Sequence, residues 1–343
     1  MAHNLIAYKK DFDEFLKALI EKHTVFGPTE SDGVDGLNRI EAPEHIKLHR
    51  GTSHFSFKSY FFPQIEELFS FDLASQKIDA TNDEIDNGKL DIIIGLRPCD
   101  ALAVDLLDQV FIASGTKDVY YARRRSRARI ISFACSEPGV TCFCESVGCS
   151  PDSEVGADLI VFDLKDRYLV KVVTHAGEDL LNGTDTHLDD ASEKDHAEKA
   201  QLMAAAKKQL SRVFSVDELG EKLADFDASY WNKVCQKCLG CGICTYFCPT
   251  CHCFDITDEV DGTQGRRIRT WDSCLYPLFT LHASGHNPRP TRKERMRQRI
   301  MHKFSYSVQQ YRRIFCVGCG RCVAQCPVNL DIRMVIKEIT EAR

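Results

Sequence analysis

The sequence predicts an α+β protein in which an N-terminal α/β domain with a mixed sheet precedes a C-terminal helical domain. Two observations lead to this prediction. Largely apolar runs in the first half, at 90–96 and 128–134, flank a helical pattern, which is typical of buried parallel strands joined by a crossover helix. The second half contains the same cysteine spacing twice, embedded in polar and basic sequence.

Length and composition set the limits of this prediction. A chain of 343 residues suggests two domains, which we expect as an α/β domain over 1–185, a helical linker over 186–230 and a second domain over 231–343. The hydrophobic content of 43% is that of a globular protein, and the net charge of -6 gives no general attraction to nucleic acid.

Cysteine usage is the most unusual feature of the composition. The chain has 17 cysteines, yet its start has no apolar segment of the secretory kind, and no run of about 18 apolar residues could span a membrane. Reduced, metal-bound thiolates in the cytoplasm therefore fit better than disulfides.

The first elements follow from periodicity. Residues 11–22 predict an amphipathic helix, and 24–28 a short strand and turn. The aromatic stretch 55–71 is expected to pack onto the sheet, with its phenylalanines in the core.

A β-α-β unit comes next. The strand at 90–96 leads into Cys99, a helix covers 101–111, and the strand at 128–134 leads into Cys135. Crossovers of this kind join parallel neighbours, so both cysteines should lie at the same sheet edge, where α/β sheets bind ligands.

More cysteines follow in the next loop, at Cys142, Cys144 and Cys149. Convergence of Cys99, Cys135, Cys142 and Cys144 on one edge would make a third metal site. Their being small buried apolar residues is the alternative, and zinc could use the same thiolates. The spacing alone leaves these possibilities open.

The linker region reads as mostly helical. We expect a hairpin over 158–173, a polar surface loop over 177–195, a helix over 191–213 and a second helix over 216–233. The second helix leads directly into the first cysteine run and places Trp231 at the domain junction.

The two cysteine runs carry the strongest signal. Both follow the spacing C-x2-C-x2-C-x3-C-P, with which bacterial ferredoxins hold [4Fe–4S] clusters. Structural zinc would need two cysteine pairs separated by a knuckle. Because the fourth cysteine of each run usually ligates the other cluster, we predict two ligand sets: Cys238, Cys241, Cys244 and Cys326, and Cys316, Cys319, Cys322 and Cys248.

The insert between the runs is long. Its 67 residues contain helical stretches, which suggests the α-helical ferredoxin-like architecture of redox-complex subunits rather than the compact one. Cys251, Cys253 and Cys274 of the insert could be surrogate ligands, neighbours of the clusters or part of an additional site, and Cys235 upstream is a further candidate ligand.

The stretch 266–313 is strongly basic, with twelve Lys and Arg against two acids. Nucleic-acid binding, a solvated helix face and an acidic partner are all compatible with it. No nucleic-acid motif accompanies the patch, and cations near a cluster raise its potential. We therefore favour cluster tuning together with partner docking, and expect no nucleic-acid partner.

These motifs resemble a known family, the β subunit of cytoplasmic sulfhydrogenases and, equally, the iron–sulfur electron-transfer subunit of anaerobic sulfite reductases. The resemblance is carried by both cysteine runs and by the segments 248–253, 271–274, 285–293, 62–71, 98–100 and 142–144, together with Cys135. All four N-terminal candidate ligands fall at family cysteine positions, whereas Cys149 and Cys235 do not. The resemblance implies an electron-transfer subunit beside an FAD- and NAD(P)-binding flavoprotein and a catalytic hydrogenase or sulfite reductase.

We therefore expect a non-catalytic electron relay with two [4Fe–4S] clusters and a third in the N-terminal domain. An alternative is a relay in a heterodisulfide-reductase-linked electron-bifurcating complex. A complete enzyme with its own flavin is disfavoured, because the only Gly-x-Gly pairs lie within the cysteine runs.

Overall fold

A computed structural model shows the protein at residues 3–31, 34–48, 51–80, 88–184, 186, 188–210, 214–216, 219–223, 225–227 and 229–341. The fold contains one large and one small sheet. Their strands are β1 (Asn4–Tyr8), β2 (Thr24–Ser31), β3 (Val34–Ile40), β4 (Ile65–Asp72), β5 (Lys77–Ala80), β6 (Asp91–Leu96), β7 (Ala128–Phe133), β8 (Leu159–Asp163), β9 (Arg167–Val172), β10 (Asp189–Asp190), β11 (Phe254–Asp261) and β12 (Gln264–Trp271).

Helices pack against the large sheet and make up most of the regular secondary structure of the C-terminal region. They are α1 (Lys9–Lys22), α2 (Lys58–Phe61), α3 (Pro98–Phe111), α4 (Val119–Arg127), α5 (His175–Asn182), α6 (Glu193–Gln209), α7 (Leu219–Leu223), α8 (Tyr230–Val234), α9 (Ile243–Tyr246), α10 (Arg292–Met301), α11 (Ser307–Tyr311), α12 (Arg321–Ala324) and α13 (Ile332–Glu341). A π-helical turn, His302–Tyr306, joins α10 to α11.

The large sheet is mixed, as predicted, and has the strand order β10-β1-β9-β8-β7-β6-β2-β3. Strands β2, β6, β7 and β8 are parallel neighbours, and the remaining pairs are antiparallel. The central strands are covered on both faces, so that Ile92, Ile93 and Ile94 are completely buried. This explains why their sequences are largely apolar rather than strictly alternating.

The predicted β-α-β unit is confirmed as β6-α3-β7. Helix α3 begins at Pro98, whose fixed φ suits the first helical position. Cys99 therefore lies in the first turn of α3, directly beyond the end of β6, and Cys135 follows the end of β7. The topology puts both residues at the same edge of the sheet.

The small sheet has the order β11-β12-β4-β5 and corrects the prediction of a helical insert. Its first part, 254–271, is an antiparallel hairpin that also pairs with β4. Polar residues alternate with Ile256, Ile268 and other β-branched residues there, and the turn contains Gly262. This two-residue period favours strands. Our prediction was wrong because it extended to the whole insert the helical pattern that begins only at Arg292.

Three smaller predictions are also wrong. The strand β2 continues through Pro28 to Ser31 instead of turning, because β3 pairs alongside it. The expected surface loop over 177–195 contains α5, whose start is capped by the Thr174 hydroxyl. The single helix expected over 216–233 is divided into α7 and α8.

The core of the C-terminal region extends into the N-terminal half. Trp231 is completely buried in an apolar cluster that also contains Phe143, Phe304 and Ile336. Trp231 therefore belongs to a core to which both halves contribute residues. In the part of the chain that the structure describes, no helix is both long and apolar enough to cross a membrane.

Candidate metal centres

The first cysteine run forms one wall of a cavity. Cys238, Cys241 and Cys244 line it together with Cys326 of the second run, which is the set predicted for one cluster. Gly242 and Gly320 precede the short helices α9 and α12 with φ of 77° and 75°. Glycine adopts this left-handed conformation without steric cost, so the chain can turn sharply behind each loop.

Backbone amides donate to sulfur in this first site. The Gly240 N–H lies 3.4 Å from Cys238 Sγ, and the Leu330 N–H lies 3.2 Å from Cys326 Sγ. Cys241 is exposed, whereas Cys238 is buried. The ligand loop of the first site therefore reaches the surface.

The second ligand set is buried. Cys316, Cys319 and Cys248 are 8%, 9% and 8% exposed, and Cys322 is half-buried. Burial raises the pKa of Cys316 to about 12, and the neighbouring sulfurs of Cys248 and Cys322 contribute to this rise against the effect of Lys303. The structure thus brings Cys248 to the second run, as predicted.

Cys248 has the most favourable surroundings for a thiolate in this set. Lys303 Nζ donates to its sulfur at 3.2 Å, and the Thr250 hydroxyl lies 3.2 Å from it. The pKa of Cys248 is far below its ordinary value, first because the Cys251 side chain hydrogen-bonds to it and then because Lys303 is positively charged.

Three buried cations surround the C-terminal thiols. Lys58, Lys303 and Arg299 are 4%, 4% and 3% exposed. Burial opposes the charge on Arg299, yet the sulfurs of Cys244 and Cys322 raise its pKa overall, so Arg299 lies between the two ligand sets. Among the described residues, no carboxylate forms an ion pair with any of these three cations.

The N-terminal cysteines also converge. Cys99, Cys135, Cys142 and Cys144 line one cavity at the edge of the large sheet, together with Thr52 and Cys319. Burial raises the pKa of Cys135 to about 11, against the effect of the neighbouring Arg97 guanidinium. The Thr52 hydroxyl lies 3.5 Å from Cys142 Sγ.

The N-terminal cavity touches the second cysteine run. The Phe143 N–H donates to the Gly318 carbonyl at 2.8 Å, and Cys142 Sγ lies 3.6 Å from the Cys319 carbonyl. A Cβ on Gly318 would lie 2.4 Å from the Cys144 backbone, so only glycine fits this approach. Beside it, the Arg321 guanidinium binds both oxygens of Asp100 at 2.8 Å.

The remaining cysteines lie outside these three sets. Cys149 is buried near the N-terminal site, where its thiol is 3.8 Å from the Ser150 carbonyl, and Cys235 contacts the Asn232 carbonyl at 3.4 Å. Cys251, Cys253 and Cys274 lie together at the foot of the β11–β12 hairpin, beside Cys248.

Sequence reasoning missed the charged residues that surround these thiols. Lys58 is 193 positions from Cys251 in the chain, yet it donates to the Cys251 carbonyl at 3.1 Å. Its ammonium also lies 3.7 Å from the centre of the Trp271 ring. The Asp100–Arg321 pair was missed as well, although Asp100 and Arg321 each adjoin a predicted ligand. That adjacency was the available signal.

Five of the twelve cations of the basic stretch are buried. Arg269 is 3% exposed and pairs with Glu66 and Asp118, and Arg295, Arg297, Arg299 and Lys303 are also buried. Their partners are distant acids, backbone carbonyls and the thiols themselves. Fewer of these cations are therefore free for docking than the sequence suggested.

The donor sets fit iron–sulfur clusters. Each of the three sets consists of four thiols, and buried cations adjoin them without a carboxylate of their own at the C-terminal sets. Among the described residues, Arg299 Nε is buried with no hydrogen-bond partner, which is unusual unless an acceptor is bound beside it. A cubane cluster bound by four thiolates is anionic and accepts such hydrogen bonds.

Comparison with known proteins agrees with iron–sulfur binding in the C-terminal region. A 4Fe-4S dicluster domain family matches residues 237–330, which include both cysteine runs and the insert. The chain is also 31% identical over 332 residues to Sulfhydrogenase 2 subunit beta of Pyrococcus furiosus, and the match covers 96% of each chain.

Proposed function

The chain belongs to the family of the sulfhydrogenase beta subunit, and on that premise we propose that it relays electrons within a multi-subunit oxidoreductase. The relay would connect an NAD(P)H-linked flavoprotein with a catalytic partner, either a hydrogenase or a sulfite reductase. The relative from Pyrococcus furiosus is part of a sulfhydrogenase, which supports a hydrogenase as the catalytic partner.

Twelve cysteines would bind three [4Fe–4S] clusters in this proposal. The first set is Cys238, Cys241, Cys244 and Cys326, the second is Cys316, Cys319, Cys322 and Cys248, and the N-terminal set is Cys99, Cys135, Cys142 and Cys144. A bound cluster of this type supplies reversible one-electron transfer.

The continuity of the three ligand sets is the observation that supports a relay. Cys322 of the second set also lines the cavity of the first set, and Cys319 of the second set also lines the N-terminal cavity. The second set therefore lies between the other two. An arrangement in line, with one end at the exposed Cys241, suits transfer between partners better than storage at isolated sites.

Cations and hydrogen-bond donors of the chain would stabilise the negative charge of each cluster. Lys303 and Arg299 face the two C-terminal sets, whereas Arg97 and the Asp100–Arg321 pair adjoin the N-terminal set. Amide and hydroxyl donors to Cys238, Cys326 and Cys142 complete the ligand environment. Cations and N–H donors of this kind set cluster potentials.

Iron and acid-labile sulfide of the anaerobically purified full-length chain test the proposal. We expect about twelve iron atoms and as much sulfide per chain, since each [4Fe–4S] cluster has four of each. Stoichiometric zinc without sulfide would contradict the clusters. A content of about eight irons would support the two C-terminal clusters and contradict the N-terminal one.

The partners are tested by affinity purification of the chain from its native host. We expect a flavoprotein and a catalytic hydrogenase or sulfite reductase in a fixed ratio with it. A stable lone chain that oxidises NADH unaided would contradict a relay.

A further inference from the structure

Three cysteines of the insert have no place in the three ligand sets, and two of them form a pair. Phe254 of β11 lies opposite Trp271 of β12, and the Asp272 N–H donates to the Cys253 carbonyl at 3.0 Å. Cys253 therefore lies at the foot of the hairpin, where its two strands begin and end. Cys274 is two residues beyond Asp272 in the chain. Both the thiol and the backbone N–H of Cys274 are directed at the sulfur of Cys253.

The two thiols of this pair differ in exposure. Cys253 is half-buried, whereas Cys274 is only 6% exposed. The hydrogen bonds from Cys274 lower the pKa of Cys253 to about 7, and the Cys274 thiol, which donates, has a pKa far above its ordinary value. A half-buried thiolate beside a buried thiol is the arrangement of a nucleophile and a resolving cysteine.

Two buried lysines favour the thiolate form. After Cys274, the positive charges of Lys303 and Lys58 contribute to the low pKa of Cys253. Lys303 comes from the π-helical turn and Lys58 from α2, so separate elements direct cations toward this foot of the hairpin. The pair also faces the Cys251 thiol and the Arg299 guanidinium, which act on Cys274.

We propose that Cys253 and Cys274 form a redox-active dithiol that reduces low-molecular-weight disulfides by thiol–disulfide exchange. The Cys253 thiolate attacks one sulfur of the disulfide, which forms a mixed disulfide and releases one thiolate. The Cys274 thiol then loses its proton and attacks Cys253 Sγ, which releases the second thiolate and leaves a Cys253–Cys274 disulfide. The two protein thiols supply both electrons and both protons, and the products are two free thiols.

A metal-binding role is the competing explanation for these cysteines. Cys253 Sγ accepts a hydrogen bond directly from the Cys274 thiol, so the two sulfurs are neighbours. The contact therefore favours the formation of a disulfide.

The test uses the full-length holoprotein under anaerobic conditions. The protein is reduced, freed of reductant, treated with oxidised glutathione at pH 7, quenched in acid with an alkylating agent, digested and analysed by mass spectrometry. We expect a Cys253–Cys274 disulfide in the wild type. Cys274→Ser should lose this crosslink and accumulate a Cys253–glutathione adduct, and Cys253→Ser should give neither product.

Cys235→Ser is the matched control, because Cys235 is also half-buried and has the Asn232 carbonyl beside it. This variant should form the crosslink like the wild type. Alkylation of both Cys253 and Cys274 after oxidation, without a crosslink, would overturn the proposal. So would a loss of iron, sulfide or zinc in Cys253→Ser or Cys274→Ser, since the sulfurs would then be ligands.

Discussion

The two regions that gather cysteines do so in different ways. In the C-terminal region, three ligands of each set come from one short loop, and the fourth comes from the other run. In the N-terminal region, the start of α3, the end of β7 and the loop after it each contribute, so the sheet itself assembles the set. The first arrangement is fixed by local spacing and the second by topology.

The regions also differ in the charges around the thiols. Three cations, Lys58, Lys303 and Arg299, adjoin the C-terminal sets without carboxylate partners among the described residues. The N-terminal set has one such cation, Arg97, since Asp100 neutralises Arg321. More uncompensated positive charge stabilises the more negative, reduced state of a cluster. We therefore expect higher reduction potentials at the C-terminal sites than at the N-terminal site.

Loss of a ligand should have the largest effect and should separate the regions. Cys142→Ser should remove about four irons from the N-terminal site, and Cys326→Ser about four from the first C-terminal site, because each cluster depends on its own four thiolates. Iron and sulfide assays measure both losses, with Cys235→Ser as a control that keeps the full content. If Cys142→Ser also emptied the C-terminal sites, the regions would be a single unit.

The next effect concerns the contact between the regions. Arg321→Met leaves the buried carboxylate of Asp100 unpaired, and breaking a buried ion pair in this way costs about 3–5 kcal/mol. The free energy of unfolding by denaturant measures this cost. Arg266→Met is the control, because the Arg266–Glu259 pair is exposed and such pairs contribute about 0–1 kcal/mol.

A double variant, Arg321→Met with Asp100→Leu, should recover most of the lost stability, since no buried charge is then left alone. If the double variant were as unstable as Arg321→Met, the pair would not be the cause.

The close approach of the two regions is tested by adding one methyl group. Gly318→Ala should cost about 1–2 kcal/mol for its positive φ and about 1–3 kcal/mol more for the clash with the Cys144 backbone. Gly285→Ala is the matched control, because Gly285 has a φ of 81° but no atom within 4 Å of the added Cβ. Equal costs in thermal unfolding would mean that the regions can separate at this point.

The difference in positive charge between the two regions is tested by measuring the reduction potentials of the clusters. Lys303→Met should lower the reduction potential of the second C-terminal cluster by on the order of 100 mV, from Coulomb's law at about 6 Å and an effective dielectric constant of about 20. Redox titration followed by electron paramagnetic resonance measures the shift. The N-terminal cluster, which lies beyond the second set, should shift less. Equal shifts would remove the electrostatic contrast between the regions.

The smallest effect concerns the dithiol at the hairpin foot. Since the pKa of Cys253 is about 7, its rate of alkylation should rise about tenfold per pH unit below this value and level off above it. Mass spectrometry of briefly alkylated protein measures the rate. Lys58→Met removes a cation that favours the thiolate, so the midpoint should move to higher pH. An unchanged midpoint would exclude Lys58 as a cause.

Local sequence patterns were sufficient to predict much of the fold and of the candidate site. The two cysteine runs predicted the 4Fe-4S character of the C-terminal region because three cysteines of each C-terminal set occur within seven residues. This spacing is visible in the sequence and does not depend on the tertiary structure. The apolar runs that became β6 and β7 predicted a β-α-β unit for a similar reason, since burial on both faces leaves its mark on every residue of a strand. From that unit, the neighbourhood of Cys99 and Cys135 followed by topology.

Only the tertiary structure decided which distant groups surround the thiols. The hairpin 254–271 was missed because its alternating pattern is exposed and polar, and its pairing with β4 joins segments that are far apart in the chain. Lys58 gave no local sign of its contacts, because the cost of burying a charge is offset by partners that folding brings to it. The sequence determined the candidate ligands, and the packing of the two halves against each other determined their electrostatic surroundings.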